Sequence, residues 1–159
     1  MRRSVASWRI GPKRTDSTDD PPDDVLFNGE VWRPALEKFA AVTHLTVNMY
    51  GVGGQVACGP IHSTPLFALF TAHGYDPGIF VECARQCLTQ TAERPAVIVA
   101  PTYGIGIVGT SLVLEGEMVG AAVAGYALVD FFQRADIDRL ARDTRVPFQQ
   151  LWEVARTHH

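Results

Sequence analysis

Concentrated positive charge is missing from this sequence: 14 Lys and Arg are interspersed with 17 Asp and Glu, for a net charge of −3. Nucleic acid and anionic membranes require a continuous positive field, so neither is expected as a direct partner. A bilayer-length apolar run is missing too. The most apolar region, 97–129, is interrupted by Pro101, Glu115 and Glu117, and its glycines suit turns and crowded strands. The opening MRRSVASWRI leads into GPKRTDSTDD rather than an apolar core, which excludes a secretory signal there. Cysteine is sparse: three residues, an odd number with no CxxC, argue against a disulfide framework and favour a reducing cytoplasm. No GxSxG, HExxH or P-loop occurs, and no internal repeat, so the chain is expected to be non-enzymatic and no catalytic residue is assigned.

What the sequence does contain fits one globular domain with a tail. Met1 to Asp24 are dense in Ser, Thr, Asp and Pro and bury too little apolar surface to offset the entropy of ordering. DDPPDD lacks the alternating ligands and closing Glu of a calcium loop and is taken as a solvated charge run. The expected divisions are a flexible tail or linker over 1–28, a folded domain over 29–146, and a C-terminal helix over 147–159 that serves as connector or dimer helix.

The folded part reads as helix, hairpin, two helices, three strands and two helices. Pro34 suits a first helical turn, and Leu36, Phe39 and Ala40 share one side of a short helix ending near Val42. Leu45 to Tyr50 alternates as a half-buried strand, Gly51-Val52-Gly53-Gly54 reverses the chain, and Gln55 to Cys58 returns. Residues 59–64 read as a loop. Pro65 to Ala72 predicts a short helix. Phe80 to Ala92 places Phe80, Cys83, Ala84, Cys87, Leu88 and Thr91 on one helical face, turning both cysteines into the core. Ala96 to Ala100, β-branched and bounded by prolines, predicts a buried strand. Tyr103 to Leu128 forms two long strands joined at Glu115-Gly116. Helices follow through Ile137, Leu140 and Ala141 to Pro147, then from Phe148.

The motifs weigh toward architecture. Gly104-Ile105-Gly106-Ile107-Val108-Gly109 matches GxGxxG, but Thr110 to Leu114 is strand-like, where a dinucleotide fold needs a helix. Cys83 and Cys87, four apart on a helix, suit buried small hydrophobes better than a metal or redox pair. Cys58 and His62 form a nominal ligand pair that lacks a second pair. His44 and His73 fall at helix ends, where partial positive charge is favourable.

Taken in order, the helix, hairpin, cysteine-bearing helix, strand and then VGTSLVLEGEMVGAAVAGYAL resemble GAF-like sensory domains, most closely the PocR type that precedes histidine kinases and cyclases. The E-G-E turn leads into a strand of the form V-G-x-x-x-x-G, here Val119 to Gly125, and the similarity covers about Val31 to Val146. The resemblance implies an α+β fold: a GAF/PAS-like antiparallel sheet of five to six strands flanked by helices. It also implies a homodimer formed through terminal helices, a small-molecule pocket between sheet and helices, and a kinase or cyclase module in a longer chain or a partner. The PocR type carries a cysteine in the helix before the core strands, a place that Cys83 or Cys87 fills.

Composition supports a pocket independently. The small residues Gly106, Thr110, Gly120, Ala122 and Ala124 are expected to face inward, and Phe67, Phe70 and Phe80 either wall a cavity there or fill it. The candidate ligand-binding residues are Met49, Cys58, Phe70, Phe80, Cys83, Cys87, Tyr103, Val108, Thr110 and Tyr126, and the expected ligand is a small apolar or aromatic metabolite. No cofactor is assigned, with a haem- or metal-dependent sensor kept as an alternative. A second alternative is a redox enzyme, because a GAF-type protein of this length with three cysteines is similar to free methionine sulfoxide reductases. Those place reactive cysteines in exposed loops and carry an Ala-Cys-Asp segment that this chain lacks.

Overall fold

A computed structural model describes residues 28–76, 78–89, 96–100, 104–128 and 133–157. The order is α1 (Gly29–Thr43), β1 (Thr46–Gly51), β2 (Val56–Ile61), α2 (Pro65–Ala72), α3 (Ile79–Thr89), β3 (Ala96–Ala100), β4 (Ile105–Leu114), β5 (Glu117–Leu128), α4 (Arg134–Thr144) and α5 (Phe148–Thr157). This is an α+β fold with one antiparallel sheet, in the order β2-β1-β5-β4-β3. The longest strand, β5, is central: its Ala121 pairs with Tyr50 of β1 on one side and with Ser111 of β4 on the other. The Glu115-Gly116 turn joins β4 to β5 with both residues at positive φ, 52° and 87°, a geometry that Gly adopts without steric cost.

Helix α1 starts upstream of the expected position. Asn28 caps it, its Oδ1 accepting from the Glu30 N–H at 3.0 Å, which satisfies a first-turn amide that lacks a helical acceptor. Pro34 therefore lies in the helix interior, not in the first turn. The early start depends on Gly29, because a Cβ there would collide with the Ala57 carbonyl oxygen. The expected loop over 59–64 is also shorter, since Gly59, Pro60 and Ile61 continue β2. An edge strand tolerates a proline because it has ladder partners on one side only.

Helices cover both faces of the sheet. Helix α1 lies over β1 and β2, where Val47, Met49, Cys58, Ile61, Ala124 and Ala40 make one apolar cluster. The opposite face carries Tyr50, Ile105, Ile107, Ala121, Val123 and Tyr126, packed under Leu66, Phe70, Phe80, Cys83, Ala84 and Cys87 from α2 and α3. Helices α4 and α5 complete that layer through Ile137, Leu140, Leu151 and Ala155.

The alternation of β4 and β5 corrects the expected inward set. Thr110 pairs with Ala122 and Val108 with Ala124, and all four line an apolar groove of about 530 Å³ beside Trp32, Ala35, Leu36 and Phe39 of α1. These residues do share a face, but it is the α1 face, away from Phe67, Phe70 and Phe80. Phe39, on the same side of α1 as Leu36 and Ala40, stays 46% exposed and lines this groove.

Gly109 faces the other way, toward α3. A Cβ there would lie 2.7 Å from the Cys83 Sγ and 2.8 Å from the Cys87 Sγ, well inside contact distance. Gly109→Ala also restricts the unfolded chain, which favours folding by about 0.4–1 kcal/mol, but overpacking a rigid helix–sheet contact costs about 1–3 kcal/mol. Urea denaturation of Gly109→Ala is expected to show a net loss, and the loss is expected to shrink when Cys83→Ala is present in the same chain.

Candidate functional site

The site is built around a defect in β5. Gly106 pairs with Ala127 and Ile107 with Gly125, so Tyr126 is the extra residue of a β-bulge, and its φ of 63° is left-handed. A bulge re-aims side chains and deepens local twist. Here it turns the Tyr126 ring into the helix layer, edge-on to Phe67 and to Phe80 with both centroids 4.9 Å away, and to Phe70 at 6.2 Å. Left-handed backbone costs about 1–2 kcal/mol for a residue with a Cβ. Three aromatic contacts at roughly 0.5–1.5 kcal/mol each, added to the burial of the ring, exceed that cost. The ring therefore holds the bulge in place.

Two clefts open on either side of Tyr126. The smaller, about 250 Å³, lies beside Phe67, Phe70, Thr71, Tyr75 and Asp76. The larger, about 630 Å³, is bounded by His44 and Leu45 after α1, His62 to Leu66 leading into α2, Tyr126 to Leu128 of β5, and Val154 and Thr157 of α5.

Local sequence fixes the larger cleft. Thr64 caps α2, its Oγ1 accepting from the Phe67 N–H at 3.2 Å. The Thr64 N–H donates to the buried Thr46 Oγ1 at 3.0 Å, anchoring the start of α2 to β1. His44 is the C-cap of α1 at φ 56°, its backbone N–H donating to the Ala40 carbonyl at 2.8 Å. His62 leaves β2 at φ 54°. The two rings face each other with centroids 6.1 Å apart and planes tilted by 56°. Three of the five described non-glycine residues with positive φ thus border this one cleft, and backbone strain concentrates at functional positions. His73 caps α2 as expected, and its Nε2 lies 3.0 Å from Gln150 Oε1 of α5, an arrangement in which the ring N–H donates.

The sequence-predicted site residues divide between the two faces. Phe70, Phe80, Cys83, Cys87 and Tyr126 lie together in the helix layer. Met49 and Cys58 lie under α1, and Val108 and Thr110 line the groove beside it. The sheet separates the two groups, so no single cavity joins them. Tyr103 lies outside the described residues. Sequence reasoning did not pair His44 with His62, because 18 positions separate them and only the β1–β2 hairpin brings them together. Among the described residues, no group of three or more His, Cys, Asp or Glu converges on a common metal position.

Burial governs the electrostatics of the helix layer. It pushes the Cys83 thiol up to about 12, with the neighbouring Cys87 adding to the rise. Burial also raises the Tyr126 hydroxyl, reinforced by Asp76, Tyr50 and Tyr75, and it raises Tyr50. A thiol held neutral in this way is a poor nucleophile at neutral pH.

Compared with models of known protein families, with characterised proteins and with solved structures, the chain matches none.

Two outcomes are expected. Tyr126→Gly removes about 1–2 kcal/mol of backbone strain but deletes a buried aromatic ring worth about 3–5 kcal/mol, so calorimetry is expected to show net destabilisation in spite of the relaxed backbone. The second concerns alkaline pH. An unfolded chain ionises Cys83 in the ordinary thiol range while the folded chain keeps its proton, so the stabilisation is whole below that range and is lost as pH rises toward about 12. Tyr50 and Tyr126 act with the same sign at higher pH. Urea midpoints are expected to fall above roughly pH 9, and Cys83→Ala is expected to flatten the first part of that fall.

Proposed function

We propose that this chain is a non-enzymatic, small-molecule-binding sensory domain of the GAF-like group, PocR type, that reports ligand occupancy through its terminal helices. The observation that carries the reading is that one cleft is walled by the strained end of β5 and by the C-terminal helix. Val154 and Thr157 of α5 face Tyr126 and Leu128 across about 630 Å³, so a bound molecule touches sheet and helix together. A ligand shifts a conformational equilibrium only by its differential affinity for the two states, and a ligand that bridges β5 and α5 distinguishes α5 docked from α5 displaced. The further link between α5 and α2, through Gln150 and His73, carries the same displacement to the far end of the helix layer.

On this reading the five strands and the GAF/PAS-like arrangement of helices follow the family, the ligand is a small apolar or aromatic metabolite, and the working form is a cytoplasmic homodimer coupled to a kinase or cyclase output. Among the described residues, no helix is long and apolar enough to cross a membrane, which agrees with this setting. The burial of Cys58, Cys83 and Cys87 and the raised Cys83 thiol weigh against the methionine sulfoxide reductase alternative, whose chemistry needs an accessible thiolate.

Thermal-shift screening of the full chain against a small-metabolite library is the test. At least one compound is expected to raise the melting temperature, with the gain abolished by Val154→Trp, which fills the cleft at its α5 wall, and retained in Thr110→Val, on the opposite sheet face. A melting temperature indifferent to a broad library, or gains that survive Val154→Trp, would sink this reading.

A further inference from the structure

The lining of the larger cleft names a chemical class of ligand, an inference that rests on the sensory reading and deepens it. Among the described residues bordering the cleft, the titratable side chains are His44, His62 and Tyr126. Tyr126 is buried, with a hydroxyl held neutral by that burial. His44 and His62 are solvent-exposed at the mouth. Among the described residues no Asp or Glu borders the cleft, so a cationic ligand would find no countercharge from them. No described Lys or Arg borders it either, so a multiply charged phosphate ester would be left short of neutralising partners among them.

The imidazoles themselves are donors. An N–H···O bond places its acceptor about 2.9 Å beyond the ring nitrogen, so two rings with centroids 6.1 Å apart are close enough for one oxyanion, offset from the line between them, to lie within reach of both. Beside the imidazoles, the lining mixes the apolar Leu66, Leu128 and Val154 with the hydroxyl-bearing Thr43, Ser63 and Thr157. A ligand matched to this lining has one anionic end at the exposed imidazoles and an apolar body against Leu66, Leu128 and Val154, which is how apolar surface and a few placed polar groups divide affinity and specificity. We infer that the cleft binds a small monocarboxylic acid with an aromatic or branched aliphatic body, its carboxylate between His44 and His62.

The histidines can be replaced without disturbing the backbone. Both occupy the left-handed region, and Asn is among the residues that tolerate it best, so His44→Asn and His62→Asn preserve the local geometry while removing the imidazoles.

The test uses the full chain, labelled for imidazole NMR and followed in parallel by thermal shift. The probes are sodium benzoate, its neutral isostere benzamide, inorganic phosphate and zinc chloride. Benzoate is expected to move the His44 and His62 ring resonances together and to raise the melting temperature. Benzamide is expected to bind at least about tenfold more weakly, and each Asn variant is expected to lower benzoate affinity by a similar factor, as loss of a charge-assisted hydrogen bond implies. Equal binding of benzamide and benzoate overturns the inference. So does undiminished benzoate binding in the double Asn variant, or zinc chloride moving both rings where benzoate moves neither. If neutral compounds stabilise the native chain but not Val154→Trp while benzoate is silent, the carboxylate inference fails and the sensory reading stands. If neither kind of compound stabilises the chain, both fail.

Discussion

The edge-on packing of Tyr126 against Phe67 and Phe80, at 4.9 Å each, is the contact on which the rest of the molecule depends. It joins α2 and α3 to the end of the central strand, and it offsets the left-handed backbone that the β5 bulge imposes on a residue with a side chain. With the ring in place, β5 passes from regular pairing at Gly125 to the displaced pair at Ala127. The displaced segment, Tyr126 to Leu128, borders the larger cleft together with Val154 and Thr157 of α5.

The two sides of the sheet do different work. Under α3 the packing is close: Gly109 is the residue that lets the Cys83 and Cys87 sulfurs lie against β4, and burial there keeps the Cys83 thiol protonated. Under α1 the helix covers β1 and β2 and leaves an apolar groove over β4 and β5. The cleft bordered by His44 and His62 lies at neither center. It sits where the chain leaves α1, enters α2 and ends α5, so three helix termini meet one bulged strand. Short connections held by caps position it: the Asn28 side chain at the start of α1, the His44 backbone at its end, and the Thr64 hydroxyl on α2.

Much of the fold was legible because local rules agree with one another. The β-branched run Ala96–Ala100 and the turn at Glu115-Gly116 lie where alternation and glycine chemistry put them. The helical periodicity of Phe80, Cys83, Ala84 and Cys87 correctly buried that face. Less legible was the start of α1, where Pro34 drew attention to the wrong turn; the decisive cap at Asn28 lies six residues earlier. The β2 extension through Pro60 was likewise hidden, because a proline reads as a breaker until the strand is known to lie at an edge.

What the sequence alone determined is element type, strand parity and the presence of small residues on one face of the central hairpin, since a period of two and a period of 3.6 are local properties of the backbone. Only the tertiary structure decided which helix layer each face meets. Both faces of β4 and β5 are apolar, so alternation assigns Thr110, Ala122 and Ala124 to a common side without saying whether α1 or α3 covers it. The same holds for the cleft: the pairing of His44 with His62 comes from the β1–β2 hairpin, and the bulge that borders the space between them and α5 is a one-residue register shift in β5. A register shift is an energetic compromise between two strands and the helices above them, and no window of sequence contains all of its terms.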